Sequence, residues 1–389
     1  MWINNVNLID GTGKGMQPGV CMEIESGIIK QISPEAPAAK DDVIDLQGKY
    51  IIPGLIDCHV HINFPATADP ETTVRTFAEA DFTILAIKNL EKLLKAGVTY
   101  IRDVGDIYGL GLKLKKYLQD GTLRGPGMHC ANQIITMTGG HGHSFGREAD
   151  GTDDVRKAVR EQLKAGADLI KVVSSGGVMT PGVDVNAYQF NTEELAAAVE
   201  EAHKAGRKVC THCHSTQGIK NSVMAGIDSI EHATIMDEEA MNMMLKAGTY
   251  MVPTLAAPYY IIENGEAAGI PAFIVDKARE VGEKHMRSVR MAYEAGIKIA
   301  MGTDAGTPFN HHGISSSFEL ELMNKAGMKP MDIIVAATRT AAELIGIESS
   351  HGTLEPGKIA DFIVLTEDPL ANIKVIQNPE TVYQKGAPV

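Results

Sequence analysis

The stretch Lys164-Ala165-Gly166-Ala167-Asp168-Leu169-Ile170-Lys171-Val172-Val173-Ser174-Ser175 runs from the end of a helical pattern, through Ala-Gly, into a short run rich in β-branched residues. The first half reads as a helix C-terminus. Gly166 takes the left-handed position that stops the helix, and Lys164 lies near the negative end of the helix dipole. The second half reads as a strand covered on both faces, because such strands are close to continuously apolar. The same junction recurs at Ala96-Gly97, Ala205-Gly206, Ala225-Gly226, Ala247-Gly248 and Ala295-Gly296. Strand-like segments follow these copies too: TYIRDV from Thr99, KVCTHCHS from Lys208, SIEHAT from Ser229, YMVPTL from Tyr250 and KIAMGTD from Lys298. LIDCHVHI from Leu55 and MHCANQII from Met128 bring the set to eight. Eight strands alternating with helices over 53–347 predict an α/β fold, a (β/α)8 TIM-like barrel, with a doubly wound open sheet as the alternative. Residues 1–52 and 348–389 read as short strands and turns, and are predicted to pair into one small β-sandwich domain built from both chain ends.

The 389-residue chain carries 36 Lys+Arg and 49 Asp+Glu, a formal charge of −13. That balance argues against nucleic acid or an anionic membrane as the main partner. With 44% hydrophobic and 22% charged residues the composition is globular, and a chain of this length buries roughly three quarters of its unfolded surface without staples. Cys21, Cys58, Cys130, Cys210 and Cys213 are odd in number and form no CxxC pair, which reads as reduced thiols in a cytoplasmic protein. The start lacks a basic region followed by an apolar one, and no uncharged apolar run of ~18 residues occurs. A homo-oligomer is compatible with the sequence, and the expected partner is a small-molecule substrate.

Barrel enzymes place their chemistry at the C-terminal ends of the strands. The first strand ends in His59-Val60-His61, and the two-residue alternation of a strand puts both imidazoles on one face, able to share a metal. The fifth strand ends at His212, the sixth at His232 and the eighth at Asp304, while the fourth carries Lys171 among Leu169, Ile170, Val172 and Val173. Each alone has an ordinary structural reading: a hydrogen-bonded histidine, a helix cap at Asp304, a lysine leaning to solvent. Together, four histidines and an aspartate at the ends of four strands point to a metal centre, because the remaining strand ends are mostly small or apolar. Imidazole and carboxylate ligands without thiolate suit zinc first, and manganese or cobalt next. Five such ligands exceed what one catalytic zinc with an open position needs, so two divalent metal ions are expected. Lys171 as an ammonium would repel them; converted by CO₂ into a carbamate, it could bridge them.

The segment Ile52-Pro53-Gly54-Leu55-Ile56-Asp57-Cys58-His59-Val60-His61, with Lys171, His212, His232, Gly302-Thr303-Asp304-Ala305-Gly306 and the closing Gly352-Thr353-Leu354-Glu355-Pro356-Gly357-Lys358-Ile359-Ala360-Asp361, resembles the amidohydrolase superfamily. Thr138-Gly139-Gly140-His141-Gly142-His143 and Thr211-His212-Cys213-His214 make it most similar to the imidazolonepropionase-related, Xaa-Pro-dipeptidase-like members. The resemblance implies that His59, His61 and Asp304 hold the more buried metal, His212 and His232 the outer one, and carbamylated Lys171 both. His214 shares a strand face with His212, so alternation leaves both open and the family pattern favours His212. The resemblance further implies that His141, with His143 as the alternate, polarises the substrate carbonyl. Asp304 then shuttles the proton of a metal-bridging hydroxide. Deaminases of the superfamily lack the strand-four lysine and place an acid where Ser215 stands. Hydrolysis of an amide, in dipeptides or N-acyl amino acids, is therefore the expected activity. A cyclic amide, lactone or small xenobiotic amide is the alternative substrate, and a catalytically silent binding barrel the remote one. Arg147, Tyr188, Arg102 and His311 are the candidates for gripping a substrate carboxylate. The Met236–Met251 stretch reads as helix packing.

Overall fold

The computed structural model describes residues 1–34 and 42–389. Seven of the eight expected segments are strands: Leu55–Val60, Val98–Asp103, Gly127–Cys130, Leu169–Val173, Lys208–Cys213, Ser229–His232 and Tyr250–Val252. The first three form one parallel sheet, and the last four pair in parallel in a second, which Ile135–Thr136 and Arg147–Glu148 extend. The two sheets meet where Asp168 N–H donates to the Cys130 carbonyl at 2.9 Å and Cys130 N–H donates to the Asp168 carboxylate at 3.0 Å. Helices between the strands make this a TIM-barrel-like α/β fold.

Two expectations are corrected. MHCANQII is not one strand: it breaks after Cys130 and resumes at Ile135–Thr136, with Asn132 left-handed between them at φ 64°. KIAMGTD is not a laddered strand either. It is held by single backbone bonds, Met251 N–H to Lys298 O at 2.9 Å, Ala300 N–H to Met251 O at 2.9 Å and Cys58 N–H to Met301 O at 2.9 Å. Its end bends sharply because Gly302 passes so close to the first strand that a Cβ there would lie 2.9 Å from His59 Cβ and 2.4 Å from Val252 Cγ1.

The Ala-Gly junctions behave as their chemistry requires. Gly166, Gly226, Gly248 and Gly296 are left-handed helix caps at φ 72–99°, while Gly97 and Gly206 take the same conformation one residue beyond an alanine cap. Strands from both chain ends form one eight-stranded sheet. In it Phe362–Leu365 pairs antiparallel with Tyr50–Pro53, around a core containing Ile3, Leu8, Met22, Ile51 and Phe362. Met236 and Met244 are buried in the main core, as the packing reading expects. All five cysteines are buried and free, and among the described residues no helix is long and apolar enough to cross a membrane.

Candidate active site

Strand alternation points His59, Lys171 and His212 the same way, and their strands end around one cavity of about 1040 Å³ including its open mouth. His59, His61, His141, Lys171, His212, His214, His232 and Asp304 all line it. The potential ligand atoms of His59, His61 and Asp304 lie within 4.8 Å of one another, as do those of His212, His214 and His232. The two groups touch, with the His59 and His232 rings 5.1 Å apart.

The first group is wired so that only acceptors converge. His59 Nδ1 is paired with Glu231 Oε2 at 2.8 Å and His61 Nδ1 with the Gly105 carbonyl at 2.7 Å. In its neutral form each ring carries its proton on the Nδ1 that faces an acceptor and offers the Nε2 lone pair to a metal. The two Nε2 atoms stand 3.4 and 3.3 Å from Asp304 Oδ1. Against the upward push of burial, His59 and His61 hold the Asp304 carboxyl well below the usual carboxylate range. Burial, and then the charge of Lys171, push His59 down. Two imidazole nitrogens and a carboxylate oxygen sharing one point fit a divalent cation.

The second group fits one as well. His232 Nδ1 meets Thr254 Oγ1 at 2.6 Å, whereas its Nε2 is buried without a hydrogen-bond partner, an arrangement that costs free energy unless something else satisfies it. His212 Nε2 has only a long contact, 3.3 Å, to the Gly176 carbonyl. His214 Nδ1 meets Thr234 Oγ1 at 2.7 Å, and its ring stacks on His232 at 4.8 Å. Geometry alone therefore keeps His214 beside His212. Burial drives both His212 and His232 well below the usual imidazole range, so both are neutral and able to ligate. Lys171, only 3% exposed, lines the same cavity as both groups.

Backbone strain gathers here. His232, Ala233, Thr254 and Asp304 have φ of 71°, 48°, 57° and 59° at the ends of the sixth, seventh and eighth segments. A non-glycine residue so held costs of order 1–3 kcal/mol and persists where the surroundings over-determine it.

His141 and His143 separate cleanly: His141 lines the cavity, its ring 4.4 Å from that of His212, while His143 is exposed and does not. Burial lowers His141 to about 4. Gly142 N–H donates to Thr180 Oγ1 at 3.3 Å, and Thr180 Oγ1 lies 2.8 Å from His141 Nδ1.

None of Arg102, Arg147, Tyr188 and His311 lines the cavity. Arg147 is paired with Asp154 and Glu161. Arg102 is buried beneath the site, where it donates twice to Glu231, at 2.8 and 2.9 Å, and once to the Cys58 carbonyl. Ser215 caps the following helix, accepting from Gly218 N–H at 3.1 Å. Sequence reasoning missed Glu231, although strand alternation offered a signal: two residues after Ser229 it faces inward, and an inward acid needs a partner. It also missed Thr180, Thr254 and Lys277, which act across long sequence separations and leave no local pattern.

The model of the amidohydrolase family matches residues 50–389. Ochratoxinase from Aspergillus niger is 32% identical, over 96% of this chain and 83% of that protein. A crystal structure of a Xaa-Pro dipeptidase with methionine bound in the active site superposes with a TM-score of 0.94 at 34% identity, covering 100% of this chain and 99% of that one. That of a prolidase complexed with N-methylphosphonate-L-proline gives 0.92 at 28% identity, with 100% and 98% coverage.

Proposed function

The chain belongs to the amidohydrolase family, and we propose that within it this enzyme hydrolyses acyclic amide bonds, in dipeptides or N-acyl amino acids. The observation that carries the reading is the pair of adjacent ligand groups that line one cavity together with Lys171. The similarity to a Xaa-Pro dipeptidase and a prolidase supports the peptide-like substrate. Two divalent metal ions, zinc first and manganese or cobalt next, held by His59, His61 and Asp304 and by His212 and His232 with a carbamate on Lys171 between them, would polarise the carbonyl and acidify water toward neutral pH.

The chain's own groups do the rest. Asp304, ionised and half-buried beside the two imidazoles, accepts a proton from the attacking water and returns it to the leaving nitrogen. His141 supports the oxygen that gains charge. The run from Gly142 N–H to Thr180 oxygen, and from Thr180 hydroxyl to His141 Nδ1, fixes the neutral tautomer and leaves Nε2–H to donate to the substrate carbonyl. Because burial keeps this imidazole neutral down to about pH 4, the donor is unchanged across the working range. Glu231, clamped by Arg102, orients His59. We take the eight segments of 53–347 as one closed (β/α)8 barrel carrying this site, supported by the backbone bonds from Met251 and Cys58 to the 298–301 segment. We take 1–52 with 348–389 as its β-sandwich appendage. Cyclic amides, lactones and small xenobiotic amides form a second reading, which the cavity's mainly apolar lining favours.

The test is a screen of zinc- or manganese-loaded protein against dipeptide, N-acyl-amino-acid and aminated heterocycle panels. Free amino acid should appear from the first two. Ammonia released from a purine or pyrimidine faster than any amide is split would overturn the reading.

A further inference from the structure

The walls of the cavity differ sharply from its floor. Beyond the histidines, Lys171 and Asp304, its lining is mainly apolar: Ser144, Thr180 and Thr307 are its other polar side chains, and His285, buried with both ring nitrogens unpartnered, stands one turn beyond Val281 on a wall helix. On one side Phe64 stands 5.3 Å from His61 and meets Phe145 edge to face at 5.0 Å. Ile134 is packed beside them, close enough that a Cβ on Gly142 would lie 2.5 Å from its Cδ1. On the other side Ile261 and Val281, 3% and 1% exposed, come from the two helices after the seventh strand, Ala256–Asn264 and Ala272–Ala295. Val178 comes from the loop after the fourth strand. Lys171 is the one lysine or arginine, and Asp304 the one acid, among the described lining residues, and both belong to the metal-site floor.

Resting on the amide-hydrolase reading above, we propose that the side chains on both sides of the scissile bond are bulky and uncharged. The cavity takes amides bearing phenyl, branched-alkyl or thioether side chains, held between the Phe64–Phe145 wall and the Ile261–Val281 wall. The physical reason is asymmetric. An apolar side chain gains by leaving water, whereas an ionised one loses its hydration and meets no counter-ion on either wall.

Five symmetric dipeptides, phenylalanyl-phenylalanine, leucyl-leucine, glycyl-glycine, aspartyl-aspartate and lysyl-lysine, probe both sides of the bond at once. With zinc-loaded protein, kcat/KM for the first two should exceed that for glycyl-glycine by roughly 10–200-fold, the range for added carbon in an apolar pocket. The charged pair should fall below it. Phe145→Ala, at a half-buried turn position, should shrink the preference for phenylalanyl-phenylalanine mainly through KM. Val281→Asp should invert the order of leucyl-leucine and lysyl-lysine, which damage to the fold alone would not do. Charged dipeptides cleaved as well as apolar ones would overturn the proposal and leave amide hydrolysis standing. If no dipeptide is cleaved, the dipeptidase reading falls while the N-acyl-amino-acid one is left to its own panel, and calorimetry on metal-free protein decides the pocket separately. Phenylalanyl-phenylalanine binding at least 10-fold tighter than aspartyl-aspartate upholds it, and equal binding overturns it.

Discussion

The carboxylate of Glu231 shows how much of the site depends on groups that never meet substrate. It is wholly buried, receives two bonds from Arg102, and fixes the tautomer of His59. Against the upward push of burial, Arg102 and then His59 bring it down to about 2. Removing one partner of a buried pair leaves an uncompensated charge, at a cost of about 3–5 kcal/mol. Glu231→Ala should therefore lower unfolding stability by about that amount and weaken metal uptake, as read by urea denaturation and elemental analysis. A variant as stable as the parent with full metal would contradict this wiring. Lys171→Ala should lose both metal and activity, and short carboxylic acids should partly restore them by occupying the bridging place; full activity without additives rules the bridge out. Most of this site was legible in the chain. His59, His61, His212 and His232 stand at or just beyond strand ends and Lys171 within a strand, and period-two alternation aims such residues together, while Asp304 closes a segment with strand composition. His214 could not be parted from His212 by the same rule, since both have the same parity.

The supporting contacts between elements explain the rest. The Ala272–Ala295 helix sends Lys277 Nζ to the carbonyls of Gly177, Thr180 and Val183 at 3.2, 2.8 and 2.6 Å. All three donors of one ammonium thus tie down the loop whose Thr180 orients His141. Lys277→Met should lower kcat more than it raises KM and leave thermal stability nearly unchanged. Alkylating Lys277→Cys with bromoethylamine, which restores an ammonium of similar reach, should recover much of kcat. An unaltered kcat in Lys277→Met would show that the loop holds itself. No periodic signal links residue 277 to residue 180, which is why such a strap stays invisible until the chain is folded. A second contact carries a pH signature. Glu319, on the Ile314–Lys325 helix, accepts from Leu255 N–H and Ala256 N–H at 2.8 and 2.7 Å at the start of the Ala256–Asn264 helix, and burial pushes it up to about 8. A carboxyl raised in the folded state binds its proton more tightly there than in the unfolded chain. Its contribution is present below about pH 4.5 and is lost as pH rises toward 8. The stability gap between Glu319→Gln and the parent should therefore move in the variant's favour over that window, by a few kcal/mol on the order-of-magnitude scale of one unit per 1.36 kcal/mol. A gap constant between pH 4.5 and 8 would refute the assignment.

At the scale of the whole molecule, the alternation of helix, Ala-Gly cap and apolar strand is the most readable feature, because local chemistry alone specifies it. The eighth segment shows the limit. KIAMGTD has the composition of a strand, yet close approach at Gly302 and the left-handed turn at Asp304 replace its ladder with single bonds. That departure coincides with Asp304, the residue proposed for both metal binding and proton transfer, as expected where function overrides local preference. The account as a whole, two metals gathered on one cavity floor to split an amide between apolar walls, is tested most directly by one titration. Metal-free protein in bicarbonate buffer is supplied with increasing zinc, and hydrolysis of leucyl-leucine is followed as released leucine. The rate should rise and break at two equivalents per chain. Full activity before any metal is added, or no hydrolysis at any stoichiometry, would contradict the account.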